Sequence, residues 1–184
     1  GIVMKSYDDG IKEIIYDAKA IGERVAELGA EITRDYGGEE LVVVAILRGS
    51  IVFVADLMRQ IDLPLVFDTM AVSSYYNGTE SSGRVKINKD LESSISGKNV
   101  LIVEDIADSG VTLQFLMEML EVRKAKSIKV CTLLSKPSRR VVEVPLDYVG
   151  FVIEDKFVIG YGLDYAQRYR NYPHIGVLDE KMYK

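Results

Sequence analysis

The chain holds one cysteine and one histidine among its 184 residues, and both scarcities exclude chemistry. A lone Cys131 cannot close an internal disulfide, and its place inside the apolar run Ile128 to Leu134 reads as a buried, inert thiol. His174 stands in Asn171-Tyr172-Pro173-His174 without a partner motif, so it is assigned neither a catalytic nor a metal role. Positive charge is also in deficit. With 23 Lys and Arg against 28 Asp and Glu, the net charge of -5 argues against a nucleic-acid surface. No apolar run reaches the length of a membrane span, and no signal-peptide pattern precedes the first helix, so no membrane partner and a cytoplasmic location are expected. Internal repeats, low-complexity tracts and linkers are missing too.

What is present suits one folded domain with a small appendage. Hydrophobic residues make up 48% and charged residues 28% of the chain, a balance that disfavours disorder and provides a core of useful size. Residues 11 to 36 carry Ile11, Ile14, Ile15, Ala18, Ile21, Val25, Leu28 and Ile32 at helical period. Alternatively, Ile14-Ile15-Tyr16 forms a short strand and Asp17 caps the helix after it. Leu41 to Leu47 reads as a buried strand, residues 50 to 61 as a helix, and Leu65 to Val72 as a third apolar run. Ser73 to Gly83 is polar and glycine-bearing, a loop suited to a lid. Strands at 100 to 104, 128 to 134 and 147 to 153 follow. This alternation predicts an α/β fold, a parallel sheet flanked by helices with ligands beyond the carboxyl ends of its strands.

One stretch concentrates the chemistry: Val100-Leu-Ile-Val-Glu104-Asp105-Ile-Ala-Asp108-Ser109-Gly110-Val111-Thr112. Four apolar residues lead into three carboxylates and a small hydroxyl-bearing turn, after which Leu113, Leu116, Met117 and Leu120 recur at helical spacing. Amides of such a strand-to-helix turn lack intrahelical partners, and the helix dipole adds partial positive charge, so a phosphate fits there. Ser109 and Thr112 add hydroxyl donors, and Gly110 tolerates φ > 0 and permits close approach. Acids beside an anion site would repel a bare phosphate. Sugar hydroxyls, a divalent cation or both resolve the conflict, which points to a phosphorylated sugar with Mg²⁺. A plain acidic surface loop after a core strand is the competing explanation.

The segment resembles the phosphoribosyl-diphosphate motif of type I phosphoribosyltransferases and is similar in particular to that of the hypoxanthine-guanine phosphoribosyltransferases of purine salvage. Further matches occur in family order: Leu47-Arg48-Gly49-Ser50, Ser73-Ser74-Tyr75-Tyr76, Leu134-Ser135-Lys136-Pro137, Asp155-Lys156-Phe157-Val158-Ile159-Gly160-Tyr161, and Asp164-Tyr165 to Arg170. The resemblance implies the type I phosphoribosyltransferase fold, with a core of about residues 17–153 and a small hood from about 1–16 and 154–184. It also favours the strand before Asp17.

By the same resemblance, Glu104 and Asp105 hold the ribose hydroxyls and Asp108 is the general base. Asp108, Ser109, Gly110, Val111 and Thr112 bind the 5′-phosphate. Arg48, Gly49 and Arg170 bind diphosphate, Arg168 being a nearby confounder, and the Leu47–Arg48 peptide can be cis. Lys136 donates to the purine 6-oxo group, Phe157 stacks on the base, the Val158 backbone bonds its edge, and Ile106 covers the other face. Asp164 flanks the purine and is a water-mediated Mg²⁺ contact, with Glu104 and Asp105 completing the metal set. Ser74 and Tyr75 open the lid loop. The implied substrates are 5-phosphoribosyl diphosphate and hypoxanthine or guanine, the cofactor is Mg²⁺, and the implied assembly is a homodimer or homotetramer.

Some positions depart from the family pattern. Val111 stands where some relatives have a basic residue, Ala107 where isoleucine is common, Glu154 where many have proline, and Arg48 where some have lysine. Two other functions fit the same motifs: a nucleotide- and RNA-binding regulator on this fold, as in some pyrimidine-operon attenuators, and a transferase for another base such as xanthine.

Overall fold

The computed structural model describes residues 3–75 and 84–184, with backbone alone at 75 and 84. Strand β1 (Ile11–Tyr16) precedes helix α1 (Ala18–Tyr36), and Asp17 is the cap between them, its carboxylate accepting from Ala20 N at 2.9 Å. This is the split arrangement. Gly37 ends α1 in the left-handed conformation at φ 55°, where a residue without Cβ is favoured. Then come β2 (Leu41–Leu47), α2 (Ile51–Met58), β3 (Leu65–Tyr75), β4 (Arg84–Lys89), β5 (Asn99–Ala107), α3 (Val111–Val122), β6 (Ser127–Ser135), β7 (Tyr148–Val152), β8 (Val158–Ile159) and β9 (Ile175–Leu178).

Six strands form the main sheet in the order β4-β3-β2-β5-β6-β7, all parallel except β4, which runs antiparallel to β3 at the edge. The sheet is therefore mixed and mostly parallel. Two segments differ from the sequence reading. Ser73, Ser74 and Tyr75 extend β3 rather than opening a loop, because each pairs with a residue of β4, Ser73 with Lys86 and Ser74 with Val85. The remainder of the expected lid, residues 76–83, lies outside the described residues. Helix α2 ends at Met58 rather than residue 61.

Strand period 2 divides the core between two layers. Leu41, Val43, Ala45, Leu101, Val103, Cys131 and Leu133 point to one face and pack with Ile21, Val25, Leu28 and Ile32 of α1 and Phe53, Val54 and Leu57 of α2. Val42, Val44, Ile46, Val100, Ile102 and Val130 point to the other and pack with Leu113, Leu116 and Leu120 of α3. Strands apolar at every position are thus explained by helices on both sides. Cys131 is fully buried, and burial pushes its thiol far above the ordinary range, as an inert core residue requires.

A second, three-stranded antiparallel sheet, β1-β9-β8, joins the two ends of the chain. His174 works here: its Nδ1 accepts the Ala18 amide at 2.8 Å, tying the strand before β9 to the start of α1. Among the described residues no helix is long and apolar enough to cross a membrane.

Candidate active site

The motifs meet because parallel strands end together. β2 delivers Arg48 and Gly49, β3 delivers Ser73 and Ser74, β5 delivers Glu104 to Asp108, and β6 delivers Lys136. Strand order reverses direction between β2 and β5, and in open sheets that switch opens a crevice. A cavity of about 220 Å³ occupies it, lined by Leu47, Gly49, Ser73, Ser74, Glu104, Asp105, Ile106 and Thr112 among others. A second cavity, about 430 Å³, adjoins it and is lined by Asp105, Ile106, Asp108, Lys136, Phe157, Val158 and Asp164, together with Arg139, Asp155 and Lys156. Asp105 and Ile106 line both, so the two spaces share a wall.

At the sugar-sized cavity, the turn after β5 has the expected form. Gly110 sits at φ 89°, and a Cβ there would also come within 2.8 Å of the Val142 carbonyl oxygen. The turn is braced from outside: Ser109 O accepts Val141 N at 2.9 Å, and Arg140 donates to Asp108 O at 3.0 Å and to the Ser135 hydroxyl at 2.7 Å. The Ser109 hydroxyl accepts the Val111 amide at 3.3 Å. With the carbonyls anchored and the Val111 amide bonded to Ser109, the Thr112 and Leu113 amides of the first turn of α3 are the donors that an anion would meet.

The acids differ in state. Glu104 is buried, and burial together with the adjacent Asp105 carboxylate pushes its carboxyl well above the ordinary range. Asp105 is more open, and its Oδ1 accepts the Ile106 amide at 2.8 Å. Burial and the neighbouring carboxylate thus hold Glu104 toward its protonated form, away from the ionised acid expected to face sugar hydroxyls.

The second anion position is assembled by glycine contacts. The Leu47–Arg48 peptide is cis. Arg48 is exposed, and Gly49 packs directly against the Asp105 carboxylate, leaving no room for a Cβ. Gly162, at φ 98°, sits within van der Waals reach of the Gly49 carbonyl. Arg170 donates from Nη1 to Gly162 O at 2.6 Å, and Gly162 N donates back to Arg170 O at 2.9 Å. Arg170 is thus carried to the Arg48-Gly49 turn, and it also pairs with Asp164 at 3.5 Å. Arg168 instead lines a separate cavity with Val3, Met4 and Lys181.

In the larger cavity Lys136 is buried, and its Nζ donates to Lys156 O at 2.8 Å and lies 3.4 Å from Asp155 Oδ1. Phe157 has one face stacked on Tyr183, with ring centroids 4.8 Å apart, and its ring still borders the cavity. Val158 is held in register with Val177 of β9. Asp164 Oδ2 accepts the Gln167 amide at 2.9 Å.

Of the named site residues, Gly49, Ser74, Glu104, Asp105, Ile106, Asp108, Thr112, Lys136, Phe157, Val158 and Asp164 line the two cavities. Arg48, Ser109, Gly110 and Val111 lie in the adjoining turns, Arg170 lines a different cavity with Val52, Asp56 and Tyr161, and the side chain of Tyr75 lies outside the described residues. Glu104, Asp105 and Asp164 do not form an all-protein metal cage, since no group of three or more such side chains gathers at ligand spacing among the described residues. Asp105 and Asp164 do face the same cavity. Mg²⁺ needs only one or two carboxylates when waters and phosphates supply the rest, so this donor set fits a hydrated ion. Sequence reasoning missed Arg139 and Asp155. The sequence signals were the place of Arg139 just after the matched Lys136-Pro137 and that of Asp155 at the head of the matched Asp155-Lys156-Phe157 segment.

Comparison with known proteins agrees with this geometry. The family model described as phosphoribosyl transferase domain matches residues 12–166. The bifunctional protein TilS/HprT of Listeria monocytogenes is 49% identical over 179 residues, which cover 97% of the chain but 28% of that longer protein. The hypoxanthine-guanine phosphoribosyltransferase of Bacillus subtilis is 51% identical over 174 residues, covering 95% of the chain and 97% of its own length. A crystal structure of a hypoxanthine phosphoribosyltransferase from Staphylococcus aureus superposes with a TM-score of 0.93 at 48% identity, covering 99% of this chain and 100% of that one.

Proposed function

Because the chain belongs to the phosphoribosyl transferase domain family, and within it to the hypoxanthine-guanine phosphoribosyltransferases, we propose that it moves the 5-phosphoribosyl group of 5-phosphoribosyl diphosphate to N9 of hypoxanthine or guanine. IMP or GMP and diphosphate are the products. The observation that carries this reading is the pair of adjoining cavities sharing Asp105 and Ile106, one ringed by anion-binding turns and the other by Lys136 and Phe157.

The residues divide the work accordingly. The Asp108–Thr112 turn grips the 5′-phosphate through its hydroxyls and backbone amides, the Val111 side chain offering no donor. Asp105 and Glu104 engage the ribose hydroxyls, fixing C1 toward the base. Arg48 and Arg170 stabilise charge building on the leaving diphosphate, an electrostatic contribution that is usually the largest in such sites. Lys136 donates to the 6-oxo group, and an adenine amino group there would leave a buried donor unpaired. Phe157 and Ile106 sandwich the purine, whose edge meets the Val158 backbone. Asp108 accepts the N7 proton as N9 attacks. Asp105 and Asp164, with help from Glu104, would hold a hydrated Mg²⁺, which would neutralise charge on the diphosphate. The three-stranded sheet acts as the hood over the base, and the working form is a dimer or tetramer, which sedimentation would test.

The decisive assay measures diphosphate release from 5-phosphoribosyl diphosphate and Mg²⁺ with hypoxanthine, guanine, xanthine, adenine and uracil. Turnover confined to 6-oxopurines supports the reading; turnover with uracil alone, or none with any base, rejects it.

A further inference from the structure

Parallel pairing sets Ala107 of β5 opposite Ser135 of β6. Asp108 and Lys136 follow immediately, side by side at the carboxyl end of the sheet, and Lys136 N donates to Ala107 O at 3.0 Å. An acid and a base placed so close would attract one another into a direct ion pair across the cavity. They do not pair. Lys136 turns to Asp155 and the Lys156 carbonyl, while Asp108 Oδ1 accepts from Arg139 Nε at 3.1 Å. Arg139 Nη1 then reaches Asp155 Oδ2 at 3.4 Å. The result is a chain of alternating charge, Asp108–Arg139–Asp155–Lys136, around one cavity.

We propose that Arg139 and Asp155 are positioning residues for the transfer reaction: each supplies an alternative partner, so that the proton acceptor Asp108 and the 6-oxo donor Lys136 stay apart and both remain directed at the purine. This rests on the roles given to Asp108 and Lys136 above. Arg139 suits the task because a planar guanidinium can contact two carboxylates at once, which a single ammonium does less well. The Pro137–Arg139 turn of 3-10 helix carries it directly from the end of β6. Other charged groups nearby have separate duties: Arg140 holds the Asp108 carbonyl and the Ser135 hydroxyl, Lys156 pairs with Glu13 at 3.1 Å, and Asp164 pairs with Arg170.

Arg139 and Asp155 have side chains that are 54% and 48% exposed, and ion pairs this open add little to stability. Removing them should therefore leave the fold intact and act on catalysis. Steady-state kinetics on Arg139→Ala, Arg139→Lys, Asp155→Asn and the double variant R139A/D155N test this, with Asp108→Asn and Lys136→Met as controls. Displacing a reacting group by about 1 Å can cost on the order of 100-fold, so R139A is expected to lower kcat about 10- to 100-fold while changing KM for 5-phosphoribosyl diphosphate by less than about twofold. D155N is expected to raise KM for hypoxanthine about tenfold, because a loosened Lys136 weakens base binding. R139K should recover part of kcat, and the double variant should lose less than the product of the single losses, since both act on one chain of contacts.

Wild-type kcat and KM in both R139A and D155N, with D108N and K136M impaired, would overturn the positioning role and leave the site roles standing. A fall in kcat matched by a lowered melting temperature, without rescue by lysine, would overturn it too. Unimpaired D108N and K136M would remove the site reading and this inference together.

Discussion

Glu104 carries the most unusual environment of any acid in the crevice, buried beside a second carboxylate. Its carboxyl is raised above the ordinary value of 4.5, so between that value and the raised one the native state retains a proton that the unfolded chain has released. Its contribution to stability is present below the unfolded value and is lost as pH rises through the native one. Chemical denaturation of Glu104→Gln from about pH 5 to pH 8 should show a smaller fall in stability with pH than the unsubstituted protein. Parallel curves would refute the assignment. A residue that titrates this way also gives ligand hydroxyls or Mg²⁺ something to gain by binding, because either favours the ionised form.

Gly49 makes a complementary prediction. A methyl group there has no space beside the Asp105 carboxylate, so Gly49→Ala must displace the acid or the Arg48 turn. Its expected effect is a loss of about 100-fold in kcat/KM for 5-phosphoribosyl diphosphate, as for other misplacements of about 1 Å, with far-ultraviolet circular dichroism unchanged. Ordinary kinetics in G49A would show that the close contact is not needed.

Among the elements, α1 shows how a local signal and a distant contact combine. Asp17 caps its first turn through Ala20 N, a pattern readable from Tyr16-Asp17 before an apolar period, whereas the Ala18 amide is satisfied by His174, 156 positions away. Replacing an N-cap aspartate with alanine typically costs about 1 kcal/mol, so urea denaturation of Asp17→Ala should lose roughly that much. An unaltered midpoint would mean the cap bond is not formed in solution. His174 had no role that its neighbours in sequence could reveal. The edge strand β4 did carry a local signal, since Arg84, Lys86 and Asn88 alternate with Val85 and Ile87 at the period of a half-buried strand, but the six-residue run pairs only because β3 lies beside it.

For the molecule as a whole, the site lies where two layers and a small sheet converge, so ligand occupation must be felt as global stability. A ligand at 100 times its Kd adds about 2.7 kcal/mol, and a chain of this size gains roughly 2–4 °C per kcal/mol. Saturating IMP, or 5-phosphoribosyl diphosphate with Mg²⁺, should therefore raise Tm by about 5–10 °C. Chelation should abolish much of the latter shift and spare the former. Equal shifts with adenosine monophosphate would undercut selection of a 6-oxopurine by Lys136.

Much of this was written in the sequence. Buried strands at 41–47, 100–104 and 128–134, the Asp108–Thr112 turn and the motifs at Arg48 and Lys136 are contiguous segments whose local order follows from apolar runs, turn residues and helix ends, and parallel strands must bring their carboxyl ends together. Tertiary packing alone decided the rest: Gly49 against Gly162 and Asp105, Arg170 bonded to the Gly162 carbonyl, the protonation bias of Glu104, and the charge chain through Arg139 and Asp155. Those features depend on distances between segments far apart along the chain, and side-chain spacing across space is set only when both helical layers close on the sheet.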